Sequence, residues 1–232
     1  MVAISDRPSA TLPTLVVRTP VNAQPRAESG VRLPPTSPRH PRKADHGHAE
    51  LHRDRLARRV RGRRGRGFQG SAPDAEVFRF HVDRMEAVAH EVLGRNTYAL
   101  MEYWQNPPEG EEWGPDEQEF ARRWQAIPRT LVSSTMTAAD LASDTDRLVP
   151  RLDTGTLRRL VDEADGEVEI FGPTTAAEAI RAGMVSDFLL FVVPHVVGGG
   201  LRALPPDAHL DLELAEQRVF GGGTVFLHYR SR

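Results

Sequence analysis

From residue 71 onward, apolar residues follow two alternating spacings that predict strands and helices in turn. Short runs rich in valine, isoleucine, leucine and phenylalanine predict buried strands, and between them apolar residues recur at every third or fourth position, as on one face of a helix. The predicted strands are "AVAHEVLG" (87–94), "RTLVSS" (129–134), "EVEIFG" (167–172), "DFLLFVVP" (187–194), "LELAEQRVF" (212–220) and "GTVFLHYR" (223–230). This alternation predicts an α/β domain with a largely parallel central sheet.

The helices between these strands carry start and stop signals. The first is predicted to begin with Ser71 as N-cap and Asp74 three residues later, a capping-box spacing. Further helices are predicted at "NTYALMEYW" (96–104), "DEQEFARRWQAI" (116–127), "TLRRLVDEA" (156–164) and "TTAAEAIRAG" (174–183). The last two strands join through a run of three glycines at 221–223, which predicts a closing antiparallel hairpin.

The first part of the chain has a different composition. Residues 1–66 hold 15 Lys+Arg against 5 Asp+Glu, whereas residues 67–232 hold 15 against 27. Residues 1–45 are rich in proline, serine, arginine and alanine without a sustained period, so they bury too little apolar surface to offset the entropy of ordering. We therefore expect a disordered basic tail over residues 1–70 and a folded domain over residues 71–232.

Composition narrows the classes of function. The chain has no cysteine, which excludes disulfides, a thiol nucleophile and thiolate metal sites. No apolar run approaches the ~20 residues that a membrane-spanning helix needs. The N-terminus lacks the basic-then-apolar order of a secretory leader. We expect a cytoplasmic protein with no membrane partner and no metal centre.

Two predicted strands end in a glycine that is followed by a helix start. Gly172 precedes one such helix, whose open N–H groups could bind a phosphate or could form an ordinary threonine-capped turn. Gly94 precedes another, with Arg95 and Thr97 behind it. An arginine and a hydroxyl at that point could hold a second phosphate, or the arginine could simply be solvated.

A third glycine-rich segment, Gly198–Gly200, follows the strand predicted at 187–194. Such a loop can pass close to a ligand or can form a tight bend. His195 stands beside it, and we interpret this histidine as structural rather than catalytic.

Five stretches in a fixed order together carry a resemblance to a known family. They are "VLGRNTYALM" (92–101), "LVSSTM" (131–136), "IFGPTTAAEAIRAGMVSDF" (170–188), "VPHVVGGGLRAL" (193–204) and "GGGTVFLHYR" (221–230). With them the chain resembles the RibD C-terminal-like branch of the dihydrofolate reductase fold over about residues 72–230. The resemblance implies a three-layer α-β-α domain and an NADPH-dependent reductase. The archetype of that branch reduces 5-amino-6-(5-phosphoribosylamino)uracil in riboflavin biosynthesis.

The resemblance implies roles for particular residues. The cofactor-binding residues it implies are Gly94, Arg95, Thr97, Ser133, Ser134, Gly172, Thr174 and Thr175, and the substrate-side loop is Gly198, Gly199 and Gly200. No proton donor is assigned, so the catalytic residue is unknown. Where the branch usually has Ser-Arg this chain has Ser133–Ser134, which removes the arginine expected near the 2′-phosphate. NADPH is therefore the expected cofactor, and NADH stays open.

A second departure concerns the opening of the domain. The branch begins with a strand and "SLDG", which line the nicotinamide and substrate pocket, and no such strand is predicted before Ser71. In that place stands "HGHAELHRDRLARRVRGRRGRGF" (46–68). If the codons of residues 46–47 are CAT GGC, a reading shifted by one base begins with ATG and can spell "MATLSFTVTASLDGFVAGGGADF". Residues 1–70 would then be a frame-shifted or mis-started segment, with one slip near Gln69.

Other interpretations of the N-terminal part stay open. A genuine basic tail would bind nucleic-acid backbones without sequence preference, although it has no interleaved aromatic residues for stacking. His46, His48 and His52 could bind a metal, but no carboxylate–histidine pattern accompanies them. If the chain lacks the opening strand, we expect weak reductase activity or none.

The sequence thus predicts NAD(P)H-dependent hydride transfer to a small heterocyclic substrate. A cofactor-binding pseudoenzyme that lacks the first strand is one alternative, and nucleic-acid binding through the basic tail is the other. A homodimer is compatible with the resemblance, since that branch commonly forms dimers.

Overall fold

The computed structural model describes residues 15–19, 73–110, 112–195 and 201–232. The chain divides into two compact units, one combining Met1–Ala23 with Phe68–Arg232 and the other spanning Gln24–Gly67. The second unit lies wholly outside the described residues, and so does most of the segment expected to be disordered. The described residues all belong to the first unit.

Eight strands and five α-helices make up the described part of the chain. In order they are β1 (Leu15–Thr19), α1 (Ala75–Arg84), β2 (Val88–Gly94), α2 (Arg95–Met101), α3 (Pro115–Ala126), β3 (Arg129–Val132), β4 (Arg147–Val149), α4 (Thr154–Glu163), β5 (Glu167–Phe171), α5 (Pro173–Arg181), β6 (Asp187–Val192), β7 (Leu212–Val219) and β8 (Val225–Ser231). Each helix and strand predicted from residue 71 onward is present, with its ends displaced by a few residues. Sequence reasoning missed β1 and β4.

The strands form one sheet in the order β4-β3-β2-β5-β1-β6-β8-β7. The four strands β4, β3, β2 and β5 pair in parallel, and all remaining neighbours pair antiparallel. Crossover helices cover parallel strands on both faces, which explains why these strands appear in the sequence as short apolar runs. The predicted α/β class, with a parallel part and a closing antiparallel hairpin, is confirmed.

Strand β1 occupies the middle of the sheet, between β5 and β6. Its residue Arg18 is the register partner of Glu169 on one side and of Asp187 on the other. The expected disorder of residues 1–70 is wrong for Leu15–Thr19, because these residues form a strand that the sequence analysis did not predict. The run Leu-Val-Val-Arg-Thr favours a strand by propensity, but five residues are too few to separate from their irregular surroundings by periodicity.

Helices cover both faces of the sheet. Helices α4 and α5 pack on the face formed by Val92, Val168 and Ile170. Helices α1 and α2 pack on the opposite face, around Leu93 and Leu131, and α3 extends that layer with an aromatic cluster. The expected three-layer α-β-α arrangement is confirmed.

Helix α1 begins later than predicted. Asp74, not Ser71, is its N-cap, because its carboxylate accepts the Val77 N–H at 2.9 Å; Ser71 itself lies outside the described residues. The other oxygen of Asp74 accepts the Gly222 N–H at 3.1 Å, and Glu76 accepts the Gly221 N–H at 3.0 Å. The first turn of α1 therefore holds the glycine turn between β7 and β8.

Replacing Gly222 by alanine is expected to lower the free energy of unfolding by about 1–2 kcal/mol, the scale of a lost helix cap. A Cβ at this position would stand 2.1 Å from Asp74 Oδ2, so the carboxylate must leave the position from which it also caps α1. Urea unfolding measures the loss. Gly221→Ala is the matched control, because its Cβ would meet Glu76 Oε2 at an ordinary 3.7 Å. Equal stability of the two variants would contradict this account of the turn.

Candidate cofactor site

The three parallel strands β3, β2 and β5 end at the same edge of the sheet. Gly94 is the register partner of Val132, and Leu93 is the partner of Phe171. The segments that leave these strands therefore start side by side. In open parallel sheets this carboxyl edge is where ligands bind.

The turns that follow β2 and β5 interlock. Gly94 is the N-cap of α2, and a Cβ added to it would lie 2.6 Å from Thr175 Oγ1. Gly172 is the N-cap of α5 with φ +90, a left-handed conformation that favours glycine. A Cβ on Gly172 would lie 3.8 Å from Thr97 Oγ1. Each glycine thus faces the threonine of the other turn: Gly94 leaves no room for a Cβ beside Thr175, and Gly172 is required by its positive φ.

A polar corner adjoins these turns at the end of β3. Arg95 NH1 donates to Thr135 Oγ1 at 3.0 Å. Ser133 Oγ accepts the backbone N–H groups of Thr135 and Met136, each at 3.2 Å. Arg95 and Ser134 are both exposed. We call Arg95, Ser133 and Thr135 the arginine corner; it presents a guanidinium and two hydroxyls to solvent.

A groove of about 610 Å³ opens beside the arginine corner. One wall is the outer face of α2, and the other is the segment that follows β3. Its lining residues are Arg95, Tyr98, Ala99, Glu102, Thr135, Met136, Ala139, Asp140, Leu141 and Ala142. The groove exposes more polar than apolar surface, and its lining includes the cation of Arg95 and the acids Glu102 and Asp140.

The substrate-side loop of the resemblance is Gly198, Gly199 and Gly200, and it lies outside the described residues. Strand β6 runs in the same direction as β5, because each of them is antiparallel to β1. The chain after Val192 therefore leaves from the edge where the glycine turns lie. His195 belongs to this exit, where its backbone N–H donates to the Val193 carbonyl at 2.8 Å.

The structure brings together most of the residues that the sequence singled out. Gly94, Thr97, Gly172 and Thr175 form the interlocked turns, and Thr174 lies in the exposed first turn of α5. Sequence reasoning missed Thr135, which completes the arginine corner. The signal was present as a hydroxyl two residues after Ser133, but only the fold turns it toward Arg95.

A buried charged cluster lies under α1, on the same sheet face as α2. Glu91 of β2 and Glu169 of β5 are register partners with exposures of 2% and 3%. Arg84 of α1 forms an ion pair with Glu169, and the Trp124 indole N–H donates to Glu91 Oε2 at 3.0 Å. The sequence signal, which sequence reasoning missed, is a glutamate in the interior of each of two buried strands.

Two absences hold for the residues that the structure covers. None of its helices combines the length and apolarity needed to cross a bilayer. Nor does any group of three or more metal-ligating side chains occur within those ranges. His46, His48 and His52 lie outside them.

Comparison with known proteins gave matches among solved structures alone. No family model and no curated protein matches the chain. A riboflavin biosynthesis protein from Shewanella sp. PV-4 is 18% identical, with a TM-score of 0.49 over 65% of this chain and 78% of that one. A pyrimidine reductase-like protein from Corynebacterium diphtheriae is 15% identical, with a TM-score of 0.42 over 72% and 85%. RibD of Acinetobacter baumannii is 12% identical, with a TM-score of 0.45 over 66% and 50%.

Proposed function

We propose that this chain carries the cofactor site of an NAD(P)H-dependent reductase whose substrate is a small heterocycle of the 5-amino-6-(5-phosphoribosylamino)uracil type. The observation that carries the proposal is the pair of interlocked glycine turns at the carboxyl edge of parallel strands, with an exposed arginine beside them. The substrate class comes from the resemblance of the five sequence motifs.

The turns fit a pyrophosphate by their shape. Gly94 and Gly172 leave backbone uncovered where any larger residue would place a Cβ, one of them 2.6 Å from a threonine oxygen. The first turn of helix α5, which contains Thr174 and Thr175, lies at this edge, where the open N–H groups of a helix N-terminus can bind an anion. When bound, the nicotinamide would supply the hydride, while the protein supplies position and electrostatics. The two glycine turns and the two threonines would bind and orient the phosphates.

The arginine corner favours NADPH over NADH. The sequence lacks the arginine that the family pattern places at 134, but Arg95 reaches the same strand end through its contact with Thr135. A guanidinium with two neighbouring hydroxyls matches the geometry and charge of a phosphate monoester. We infer that Arg95, with Ser133 and Thr135, would hold the 2′-phosphate.

Replacing Arg95 by alanine is expected to raise the Kd for NADPH about tenfold or more, the scale of one lost charge-assisted hydrogen bond. The Kd for NADH, which has no 2′-phosphate, should change much less. Titration of the full chain with each cofactor, followed by cofactor fluorescence, gives both constants. Arg122→Ala is the control, since Arg122 is exposed and paired with Glu119 far along α3. Equal weakening of both cofactors, or none, would count against the arginine corner.

The direction of β1 favours the pseudoenzyme alternative for this chain as it stands. Val16 is the partner of Phe171 and Leu15 is the partner of Leu190, so β1 starts at the edge where β5 and β6 end. A pocket-lining turn that follows an opening strand reaches this edge only if its strand runs parallel to β5. β1 instead ends at the opposite edge, since it is antiparallel to β5. We therefore infer cofactor binding with weak turnover or none.

The shifted reading of residues 46–68 would supply an opening strand that can run in the direction that β1 lacks. It places "SLDG" directly behind an alternating strand, and a strand that runs parallel to β5 in the position of β1 would deliver that turn to the cofactor edge. We propose that the native protein carries this strand and that residues 1–68 are a reading artefact. The DNA sequence across codons 44–72 tests the proposal: a one-base slip supports it, and a confirmed frame excludes it.

A further inference from the structure

Tyr98 joins the two walls of the groove from beneath. It lies on α2, and its side chain is 1% exposed. Its hydroxyl accepts the Ala142 N–H at 2.6 Å and donates to Asp146 Oδ2 at 2.8 Å. These two hydrogen bonds tie α2 to the segment between β3 and β4, residues 133–146, which we call the β3–β4 segment.

The far end of the β3–β4 segment is fixed from a second side. Asp146 Oδ1 accepts Arg129 Nε at 2.8 Å. Arg129 is 1% exposed, donates from NH1 to the Trp124 carbonyl at 2.8 Å, and lies 4.2 Å from the centroid of the Trp124 ring. A buried charged network with each partner engaged holds a single arrangement, because any departure leaves a charge unpaired.

The Tyr98 hydroxyl keeps its proton within this network. Burial, with the adjacent Asp146 carboxylate adding to it, raises the pKa of Tyr98 to about 12. The hydroxyl therefore donates to Asp146 over the whole neutral range while it accepts from Ala142. Its geometry is fixed by one donor and one acceptor.

The near end of the β3–β4 segment carries half of the arginine corner. Ser133 and Thr135 belong to this segment, whereas Arg95 belongs to the first turn of α2. The contact of 3.0 Å between Arg95 and Thr135 thus joins the two walls above the groove. The Tyr98 bonds to Ala142 and Asp146 join the same walls below it.

We propose that Tyr98 is a positioning residue for the 2′-phosphate of the cofactor: by holding the β3–β4 segment against α2, it sets the spacing between Arg95 and the hydroxyls of Ser133 and Thr135. This inference rests on the proposed function, because it assigns the arginine corner to that phosphate. Tyr98 does not touch the reacting atoms. It acts through the segment that it anchors.

Tyr98→Phe keeps the ring and removes both hydrogen bonds. We expect the Kd for NADPH to rise about tenfold, the scale of one or two lost buried hydrogen bonds, while the Kd for NADH stays within about twofold. The ratio of the two constants is the decisive readout, because a general loss of structure would weaken both cofactors together. Cofactor fluorescence on the full chain measures both, and urea unfolding shows that each variant is folded.

A control variant and a second condition complete the experiment. Tyr103→Phe makes the same change in a ring that packs against Trp104 and Trp113 and does not line the groove, so it should alter neither constant. If Tyr98→Phe is unfolded in buffer alone, both constants are measured for it and for the parent chain in the presence of a stabilising osmolyte. The ratio should then shift in the same direction.

The possible results distinguish a failure of the role of Tyr98 from a failure of the proposed cofactor site. If the parent chain binds NADPH more tightly than NADH and Tyr98→Phe removes that preference, Tyr98 positions the phosphate. An unchanged preference in Tyr98→Phe, or equal weakening of both cofactors, overturns the role of Tyr98 and leaves the cofactor site intact. A parent chain that binds neither cofactor overturns the proposed function, and the role of Tyr98 falls with it.

Discussion

A chain in which residues 1–68 are replaced by "MATLSFTVTASLDGFVAGGGADF" is expected to bind NADPH about tenfold or more tightly than the present chain. The added affinity should come from contacts with the nicotinamide end of the cofactor. Adenosine 2′,5′-bisphosphate, which lacks that end, should bind both chains with Kd values within about twofold. Cofactor fluorescence and isothermal titration calorimetry give the two constants.

The physical reason is the direction of one strand. In the present chain β1 runs opposite to β5 and β6. Its first residue therefore lies at the cofactor edge, and its last residue lies at the opposite edge. The replacement strand can run parallel to both neighbours and place "SLDG" at the glycine turns. Groups that orient the reacting end of a cofactor can change rates by about a hundredfold when they are misplaced by an ångström. Turnover, if it occurs, should therefore appear in the rebuilt chain.

The control for this comparison is a chain with the same 23 replaced residues in scrambled order, which keeps length and composition. It should bind NADPH no better than the present chain. If the scrambled chain gains as much as the rebuilt one, removal of residues 1–68 explains the gain and the new strand does not. If the rebuilt chain gains nothing, the shifted reading does not encode the missing strand.

The free energy of unfolding of the parent chain is expected to fall between about pH 5 and pH 9. Glu91→Gln is expected to remove most of that fall. Burial, with repulsion from Glu169, raises the pKa of Glu91 to about 8, against the opposing attraction of Arg129 and Arg84. The side chain therefore holds a proton at neutral pH. Glutamine keeps an oxygen that can accept the Trp124 N–H and has no charge to bury.

The direction of this pH dependence follows from the pKa of Glu91 in the unfolded chain and its pKa in the folded chain. The ordinary pKa of a glutamate is 4.5, and that of Glu91 in the folded chain is about 8. Its contribution to stability is therefore complete below about pH 4.5 and is lost as the pH rises through 8. One unit of pKa displacement corresponds to about 1.4 kcal/mol. At pH 9 the variant should therefore exceed the parent in free energy of unfolding by several kcal/mol.

Urea unfolding at pH 5, 7 and 9 measures this difference. Glu86→Gln is the control, because Glu86 is exposed in the turn that follows α1 and should leave the profile unchanged. A parent whose stability is as high at pH 9 as at pH 6, or a variant that follows the parent at each pH, would show that Glu91 is ionised in the folded chain at neutral pH.

His81 sets the acid side of the same profile. Burial lowers its pKa to about 3, and the adjacent Arg84 lowers it further in the same direction. Its contribution is present above its ordinary value of 6.5 and is lost as the pH falls toward 3. The two contributions oppose each other between about pH 4.5 and 6.5, so the parent should have a plateau there and lose stability on both sides of it.

The sequence determined the class of the fold because that information is local. The apolar runs of β2, β3, β5 and β6 and the helical periodicity between them specify an α/β sheet without reference to distant residues. The glycines at 94 and 172 also marked the turns correctly, since a turn glycine follows from the neighbouring strand and helix. The strand order, by contrast, depends on pairings across most of the chain, and the isolated strand at Leu15–Thr19 had no local signal strong enough to reveal it.

The candidate site likewise has a part that the sequence predicted and a part that only the tertiary structure shows. Sequence alone pointed to Arg95, Ser133 and the two glycine turns, but it treated the missing arginine at 134 as a loss. Only the tertiary structure decided that Arg95 and Thr135, 40 residues apart, meet at 3.0 Å. Only the sheet register decided that two glutamates become neighbours in the core. Contacts between distant segments are set by packing and strand direction, and a one-dimensional pattern does not contain these.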